Sequence, residues 1–456
     1  MAKKDRITYS CTECGYQSTK WLGRCPKCQA WNTLEESAAG IQRPGTKDIG
    51  RVRRVDPVLL TDVSLKEGEI RLRTGIGELD RVLGGGVVAG SLSLVGGDPG
   101  VGKSTLLLMA LSQFAGKGLK SLYVSGEESA RQIRLRSQRL EVNTTGLHLL
   151  AETDLDACLA AAERLKPRAL VLDSVQTLFS HSIDSVPGSI SQVREVANRS
   201  MQFSKRTGIP TFLVGHVTKQ GAIAGPKVLE HLVDTVLYFE GDGSSQLRAL
   251  RAVKNRFGAT GELGFFEMTG RGLEEVPDAS ARLLSERVQG APGTTVLAAM
   301  EGSRPVLAEV QALVGQPTPA TPGRTVLGMD RGRMQMLIAV LAKLGYQMYD
   351  RDVFLSAAGG LRITEPAADM AIAAAVASSM RDEAIDERTL LFGEIGLVGE
   401  VRAVSHPAQR FMEAQRHGFT RVIAPKSAVQ HAPEGLEAVG VRTIRQALAQ
   451  LFIGRS

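Results

Sequence analysis

Apolar runs stay short throughout the 456-residue chain. None approaches the roughly 18 uninterrupted residues that span a bilayer, so no membrane segment is expected. The opening Met1-Ala-Lys-Lys-Asp-Arg6 is polar and lacks the apolar stretch of a signal peptide. That argues against export and makes the cytoplasm the expected compartment. Short repeats and a low-complexity tail are also missing. Aromatic residues are few at 5%, but 43% hydrophobic and 23% charged residues form the ordinary balance of a folded globular protein. Cysteine is scarce, with five in all and four of them within the first 28 residues. The fifth, Cys158, sits among Ala and Leu and reads as a small buried core residue. Nor is there a strong charge imbalance, since 55 Lys and Arg face 48 Asp and Glu for a net +7. That excess permits a polyanionic partner such as nucleic acid without requiring one.

What is present divides the chain into segments, and its length allows two or three domains with a sizeable buried core. Residues 1–35 hold the paired cysteines and both tryptophans, with little apolar periodicity. Residues 36–55 are polar, Gly-containing and basic, the composition of a linker. From 56 to 275, short apolar runs alternate with helix-like stretches. The runs include Ser91–Val95, Ser121–Ser125, Ala169–Asp173, Pro210–Gly215 and Val233–Phe239, and the helical stretches Lys103–Phe114, Leu155–Leu165 and Ser191–Arg206. Such alternation predicts an α/β domain with a largely parallel sheet. Residues 276–456 form a further segment. It has β-branched runs at Gly293–Met300 and Pro305–Val314, a strand at Val353–Ser356, and helical patterns at Arg333–Lys343 and Ala367–Met380. Three prolines within 315–323 predict an exposed loop there.

Gly97-Asp98-Pro99-Gly100-Val101-Gly102-Lys103-Ser104-Thr105 satisfies the phosphate-loop pattern G-x-x-x-x-G-K-[ST], with an apolar strand before it and a helix after it. Its glycines let backbone N–H groups curl around ATP phosphates, and the helix N-terminus adds a favourable dipole. Lys103 is placed to contact the β- and γ-phosphates, and the Ser104 hydroxyl to ligate Mg²⁺. Downstream, Ala169-Leu-Val-Leu-Asp173 ends an apolar strand in a carboxylate suited to the Mg²⁺ water shell. Tyr123-Val-Ser-Gly-Glu127-Glu128 ends another strand in two carboxylates, either a general base that orients water or a pair of solvated loop acids. His216 closes a strand and is either a polar sensor of the γ-phosphate or a plain loop histidine. Arg131, Arg134, Arg136 and Arg139 spread around a helix and read as a solvated face.

Cys11-x-x-Cys14 and Cys25-x-x-Cys28, separated by ten residues, give two knuckles for one tetrahedral Zn²⁺ site. Four thiolates fill the coordination sphere, so the site reads as structural. A segment of this size has too little core to fold without such a staple.

Thr74-Gly-Ile-Gly-Glu-Leu-Asp80, running through Gly86 into the phosphate loop, resembles the RecA-type core. Lys254-Asn-Arg256-Phe-Gly258 matches the signature of the bacterial RadA/Sms family, and the resemblance covers essentially the whole chain. It implies a RecA-like P-loop ATPase between a four-cysteine finger and a Lon-protease-like α/β domain. It also implies that Glu127 is the catalytic glutamate, and that Lys254 and Arg256 reach the ATP of a neighbouring subunit in a homohexameric ring. Loops 179–191 and 217–229 would face the ring channel, with Lys219 and Lys227 as candidate DNA contacts. The family role so implied is ATP-driven, helicase-like branch migration on single-stranded and branched DNA alongside the RecA recombinase. The other classes considered are a RecA-fold switch that regulates a protein partner and an ATP-dependent protease, with a filament-forming recombinase as a rival within the same class.

In the terminal segment, Glu365-Pro-Ala367-Ala-Asp369 stands at Lon's serine motif, so Ala367 occupies the nucleophile position. Ala408 falls at the lysine position in a register uncertain by one or two. Without hydroxyl or amine there is no activated nucleophile, and proteolysis is not expected. Arg324, Arg331 and Arg333 read as exposed arginines near a helix start rather than a DNA-facing surface.

Overall fold

The computed structural model describes residues 8–11, 17–18, 20–26, 28–29, 31, 34–37, 59, 61, 71–216, 229–241, 246–316 and 322–452. They fall into two units that divide after Leu65. In the first, β1 (Thr8–Cys11) pairs antiparallel with β2 (Gln17–Ser18) and with β3 (Leu34–Ser37). Residues 38–55 of the expected linker lie outside the described residues.

The second unit opens with β4 (Arg71–Leu72), α1 (Gly77–Val82) and β5 (Val87–Val88). Here the Thr74–Asp80 motif has a structural meaning: one carboxylate oxygen of Asp80 accepts from both the backbone N–H and the hydroxyl of Thr74, each at 2.8 Å. Then come β6 (Leu92–Gly97), α2 (Lys103–Gly116), β7 (Ser121–Ser125), α3 (Ala130–Arg139), β8 (Leu147–Ala151), α4 (Leu155–Leu165), β9 (Leu170–Asp173), α5 (Ile190–Thr207), β10 (Thr211–His216) and β11 (Thr235–Glu240). An antiparallel run of β12 (Leu247–Asn255), β13 (Leu263–Thr269) and β14 (Gly272–Glu275) completes a nine-stranded sheet in the order β14-β13-β12-β11-β6-β10-β9-β7-β8. From β11 to β8 every pairing is parallel. Parallel strands are covered on both faces, and all six residues of β6 are buried accordingly. One face packs on α1 and α2, the other on α4 and α5. Capping fixes the helix starts, as in the reciprocal capping box of Ser129 and Gln132 on α3.

After α6 (Ala279–Leu284) a second sheet begins with the hairpin β15 (Thr294–Glu301) and β16 (Arg304–Gly315). It continues through β17 (Arg324–Leu327), α7 (Arg331–Lys343), β18 (Asp352–Ala357), α8 (Asp369–Arg381) and β19 (Thr389–Leu391). A small ribbon, β20 (Glu394–Ile395) and β21 (Val401–Arg402), precedes α9 (Pro407–Arg416), β22 (Arg421–Pro425), β23 (Glu437–Val441) and α10 (Ile444–Leu451). The strand order is β17-β18-β16-β15-β19-β22-β23. Alanines let α8 lie close against β15 and β16, and every residue from Asp369 to Ser378 is buried. The core under this sheet includes Leu247, Leu263 and Phe265 of the first sheet, so the two layers share apolar packing.

Three arginines depart from their expected surface roles. Arg136 turns inward from α3 to Glu128 at 3.0 Å. Arg333 makes two 2.6 Å bonds to the fully buried carboxylate of Asp369. Arg324 donates to backbone carbonyls of Gly323, Met348 and Arg351. Their helical or strand position was visible in the sequence, but the distant partners that draw them in were not. Arg331 alone among the three terminal-domain arginines is exposed as expected.

Candidate nucleotide site

Parallel strands end at one edge of the sheet, and their carboxyl ends gather the candidate residues. Gly97 closes β6 opposite His216 of β10 and Phe239 of β11. A Cβ at Gly97 would stand 2.6 Å from the Phe239 carbonyl, so only glycine lets the chain turn there. Gly102 is the other conformational requirement: at φ +116° it ends the loop and becomes the N-cap of α2. Asp98, Pro99 and Gly100 form the exposed crest, while Val101 is buried beneath it. The first turn of α2 therefore presents its free N–H groups into the loop, as anion binding requires.

Lys103 is buried and folds back on the loop, donating to the carbonyls of Gly97 and Asp98 at 2.9 Å each. Burial lowers its pKa, an effect opposed by the negative charges of Asp173, Glu127 and Asp98. Ser104 and Thr105 are half-buried on the following turn. The methyl of Thr105 faces β14, where a Cβ on Gly272 would lie 3.7 Å from it.

Asp173 ends β9 and is held by Tyr123 of β7, whose hydroxyl donates to Oδ2. The other oxygen, Oδ1, is buried with no protein partner. A buried, unsatisfied carboxylate oxygen beside Lys103 and Ser104 suits a hydrated divalent cation, so the donor set fits Mg²⁺. Burial and the Asp173 charge push the Tyr123 pKa well above its ordinary value, which keeps the hydroxyl a donor. Arg136 lies 3.4 Å from that hydroxyl and ties it to Glu128.

Glu127 and Glu128 diverge. The Glu127 carboxylate accepts from Ser174 Oγ at 2.5 Å and meets His216 Nε2 at 3.1 Å. These bonds, His216 first, hold its pKa down to about 2 against partial burial. One Glu127 oxygen, one Asp173 oxygen and one His216 ring nitrogen lie within 4.8 Å of one another. Such a carboxylate stays charged and can orient a water for attack on a phosphoryl group. Tyr123 and Ser174 belong to this network but were not singled out in the sequence, and Arg136, also part of it, was read only as one of a solvated helix face. Tyr123 was hidden inside an apolar run, where its hydroxyl, which needs a partner once buried, is the signal that could have marked it.

Lys254 and Arg256 stand apart from this edge. Lys254 Nζ donates to the carbonyls of Glu230 and Val233 at 2.6 and 2.8 Å. Arg256, just past β12, pairs with Asp234 at 3.2 Å. Asp234 in turn accepts from the N–H of Leu92, the first residue of β6. Both cations therefore sit at the end of β6 opposite the phosphate loop, about 17 Å away along extended chain.

In the first unit, Cys25 is buried and Cys28 exposed, and Gln29 N–H donates back to the Cys25 carbonyl at 2.8 Å to close the knuckle turn. A Cys-x-x-Cys turn of this kind fits a thiolate-bound metal. The Cys11 side chain, Cys14, Lys219 and Lys227 lie outside the described residues.

Comparison with known proteins places these features. A family model described as an AAA domain matches residues 63–222, one for a rubredoxin metal binding domain matches 9–36, and one for subunit ChlI of Mg-chelatase matches 330–428. The DNA repair protein RadA of Pseudomonas aeruginosa is 48% identical over 455 residues, covering 99% of this chain and 100% of its own. The chain belongs to the RadA family of DNA repair proteins. RadA of Bacillus subtilis is 46% identical over 453 residues, covering 98% of each. The architecture is accordingly that of a RecA-like P-loop ATPase core with an N-terminal zinc ribbon and a Lon-like terminal domain. Among solved structures, a KaiC-like protein from Pyrococcus horikoshii overlaps 45% of this chain and 99% of its own at 20% identity and TM-score 0.39. Among the described residues no helix is long and apolar enough to cross a membrane.

Proposed function

We propose that this protein is an ATP-driven DNA motor that processes recombination intermediates during DNA repair. In this reading it hydrolyses ATP as a homohexameric ring on single-stranded and branched DNA and drives branch migration alongside the RecA recombinase. Backbone N–H groups of Gly97–Thr105 and the Lys103 ammonium bind the phosphates. Ser104 and Asp173 hold Mg²⁺, which supplies charge neutralisation on the β- and γ-phosphates. Glu127 orients the attacking water and accepts its proton, and His216 and Ser174 fix the carboxylate that does so. Lys103 leaves its own loop carbonyls for the phosphates when nucleotide arrives. Cys11, Cys14, Cys25 and Cys28 hold a structural Zn²⁺, and Lys219 and Lys227 contact DNA.

The observation that carries the oligomeric part is the position of Lys254 and Arg256 at the far end of β6 from their own phosphate loop. A distance of about 17 Å from their own phosphate loop supports a role for these two cations at another subunit's nucleotide. Supplied that way, an arginine offsets charge building on the transferring phosphoryl group and accounts for several kcal/mol of the barrier.

The test is Arg256→Ala. Turnover should fall by roughly three orders of magnitude while ATP still binds. Loss of ATP binding would mean instead that Arg256 serves its own subunit.

A further inference from the structure

The strand that carries Lys254 contains an irregularity with a direct consequence. In the pairing of β11 with β12, Tyr238 faces Arg251 and Leu237 faces Ala252, but Val236 faces Lys254. Val253 is thus an extra residue, a bulge, and its side chain is 43% exposed. Because side chains alternate along a strand, the extra residue brings Arg251 and Lys254 to the same face. Past the bulge β12 runs on to Asn255 and the chain turns back through 256–260, tied at its base by Ala252 N–H to the Glu262 carbonyl at 2.9 Å and Gly261 N–H to the Ala252 carbonyl at 2.7 Å. The end of β12 and this loop together carry the Lys254–Gly258 signature.

The terminal domain grips the base of this loop with one tight turn, Glu301-Gly-Ser-Arg304, between β15 and β16. Glu301, buried, pairs with Arg251 at 2.6 Å, and Glu240 holds the same guanidinium from the other side at 3.0 Å. Ser303 N–H donates to the buried Glu262 carboxylate at 2.9 Å. Gly302, at φ +62°, lies so close that a Cβ there would stand 2.7 Å from the Glu262 nitrogen. Arg304 reaches Glu78 at 3.0 Å, and the same Glu78 oxygen accepts from Phe265 N–H on β13 at 2.9 Å. Glu301, Gly302 and Ser303 thus bond to or pack against residues at the base of the loop, and Arg304 ties the turn to α1.

We propose that the Glu301–Arg304 turn is a positioning element for Lys254 and Arg256, by which the terminal domain sets the geometry of the groups offered to the neighbouring subunit. This rests on the reading that those two cations act between subunits. It gives the Lon-like domain a task in ATP hydrolysis that needs no chemistry of its own. A displacement of about 1 Å in a positioned group is enough to cost on the order of 100-fold in rate.

The experiment uses full-length protein and two variants, Glu301→Gln, which preserves side-chain size, and Gly302→Ala, which forces the backbones apart. Each should lower kcat by roughly 10- to 100-fold with ATP-analogue affinity kept. Amides in 253–260 should exchange faster with solvent while those of α8 stay protected. Each variant is then co-expressed with Lys103→Ala and mixed oligomers are purified through two tags. A Glu301→Gln subunit has an intact phosphate loop, so an intact Arg256 from a Lys103→Ala neighbour should restore its turnover, as it should for Arg256→Ala. Rescue of Arg256→Ala without rescue of Glu301→Gln overturns the positioning role and leaves the between-subunit reading standing. Failure to rescue either removes that reading and this inference with it, and so does full turnover of Arg256→Ala by itself. Full turnover of Glu301→Gln also overturns the inference. If Gly302→Ala does not fold, Glu301→Gln carries the test alone.

Discussion

At the scale of single residues, two adjacent carboxylates with the same sequence neighbourhood have opposite surroundings. Glu127 faces His216, Ser174 and the buried Lys103, while Glu128 is neutralised by Arg136. Glu127→Gln should therefore lower ATP turnover by roughly 100-fold or more with nucleotide binding kept, and Glu128→Gln should retain most of it. A loss confined to Glu128→Gln in steady-state assays would reverse the assignment. The pH sign follows from the depressed pKa. Glu127 contributes stability that is present above its ordinary value of 4.5 and lost as pH falls toward about 2. It stays ionised through that window, so an acid limb of turnover above pH 4.5 belongs to another group. The sequence distinguished Glu127 from Glu128 only by resemblance, because nothing in Gly126-Glu127-Glu128 says which side chain turns inward. The reason lies in Arg136 on α3, whose guanidinium captures Glu128.

At the scale of elements, the central strands were legible because burial on both faces writes continuous apolar runs. Ser121–Ser125 and Leu155–Leu165 match the structure end to end. The antiparallel extension β12–β14 was less visible, since Arg248, Arg251 and Lys254 interrupt its apolar residues and find their partners only in the fold. The same holds around Ala367 and Ala408, which the resemblance sets at Lon's nucleophile and base positions, the second in a register open by one or two. Beside them a fully buried Arg410 makes a bidentate pair with Glu365 at 2.8 and 2.6 Å and also donates to the carbonyls of Ser405 and Ala298. Glu365 then accepts from Met300 N–H at 2.7 Å, next to the Glu301 turn. Replacing Arg410 with Ala leaves that carboxylate without its charge partner, and should destabilise the domain by about 3 kcal/mol in urea unfolding. An unchanged midpoint would show that the pair contributes nothing net.

At the scale of the whole molecule, the phosphate loop lies at one end of β6 and Lys254 and Arg256 at the other. In the proposed reading that polarity is met by a second copy of the chain. The family match speaks to DNA repair, and the geometry speaks to ATP; what joins them is whether one controls the other. The deciding measurement is steady-state ATP hydrolysis with and without single-stranded DNA, with Lys103→Ala as the control. Strong stimulation of the unaltered protein, absent in Lys103→Ala, is the result expected of a motor whose active site DNA completes. A slow rate indifferent to DNA would contradict it and point to a switch that acts on a protein partner.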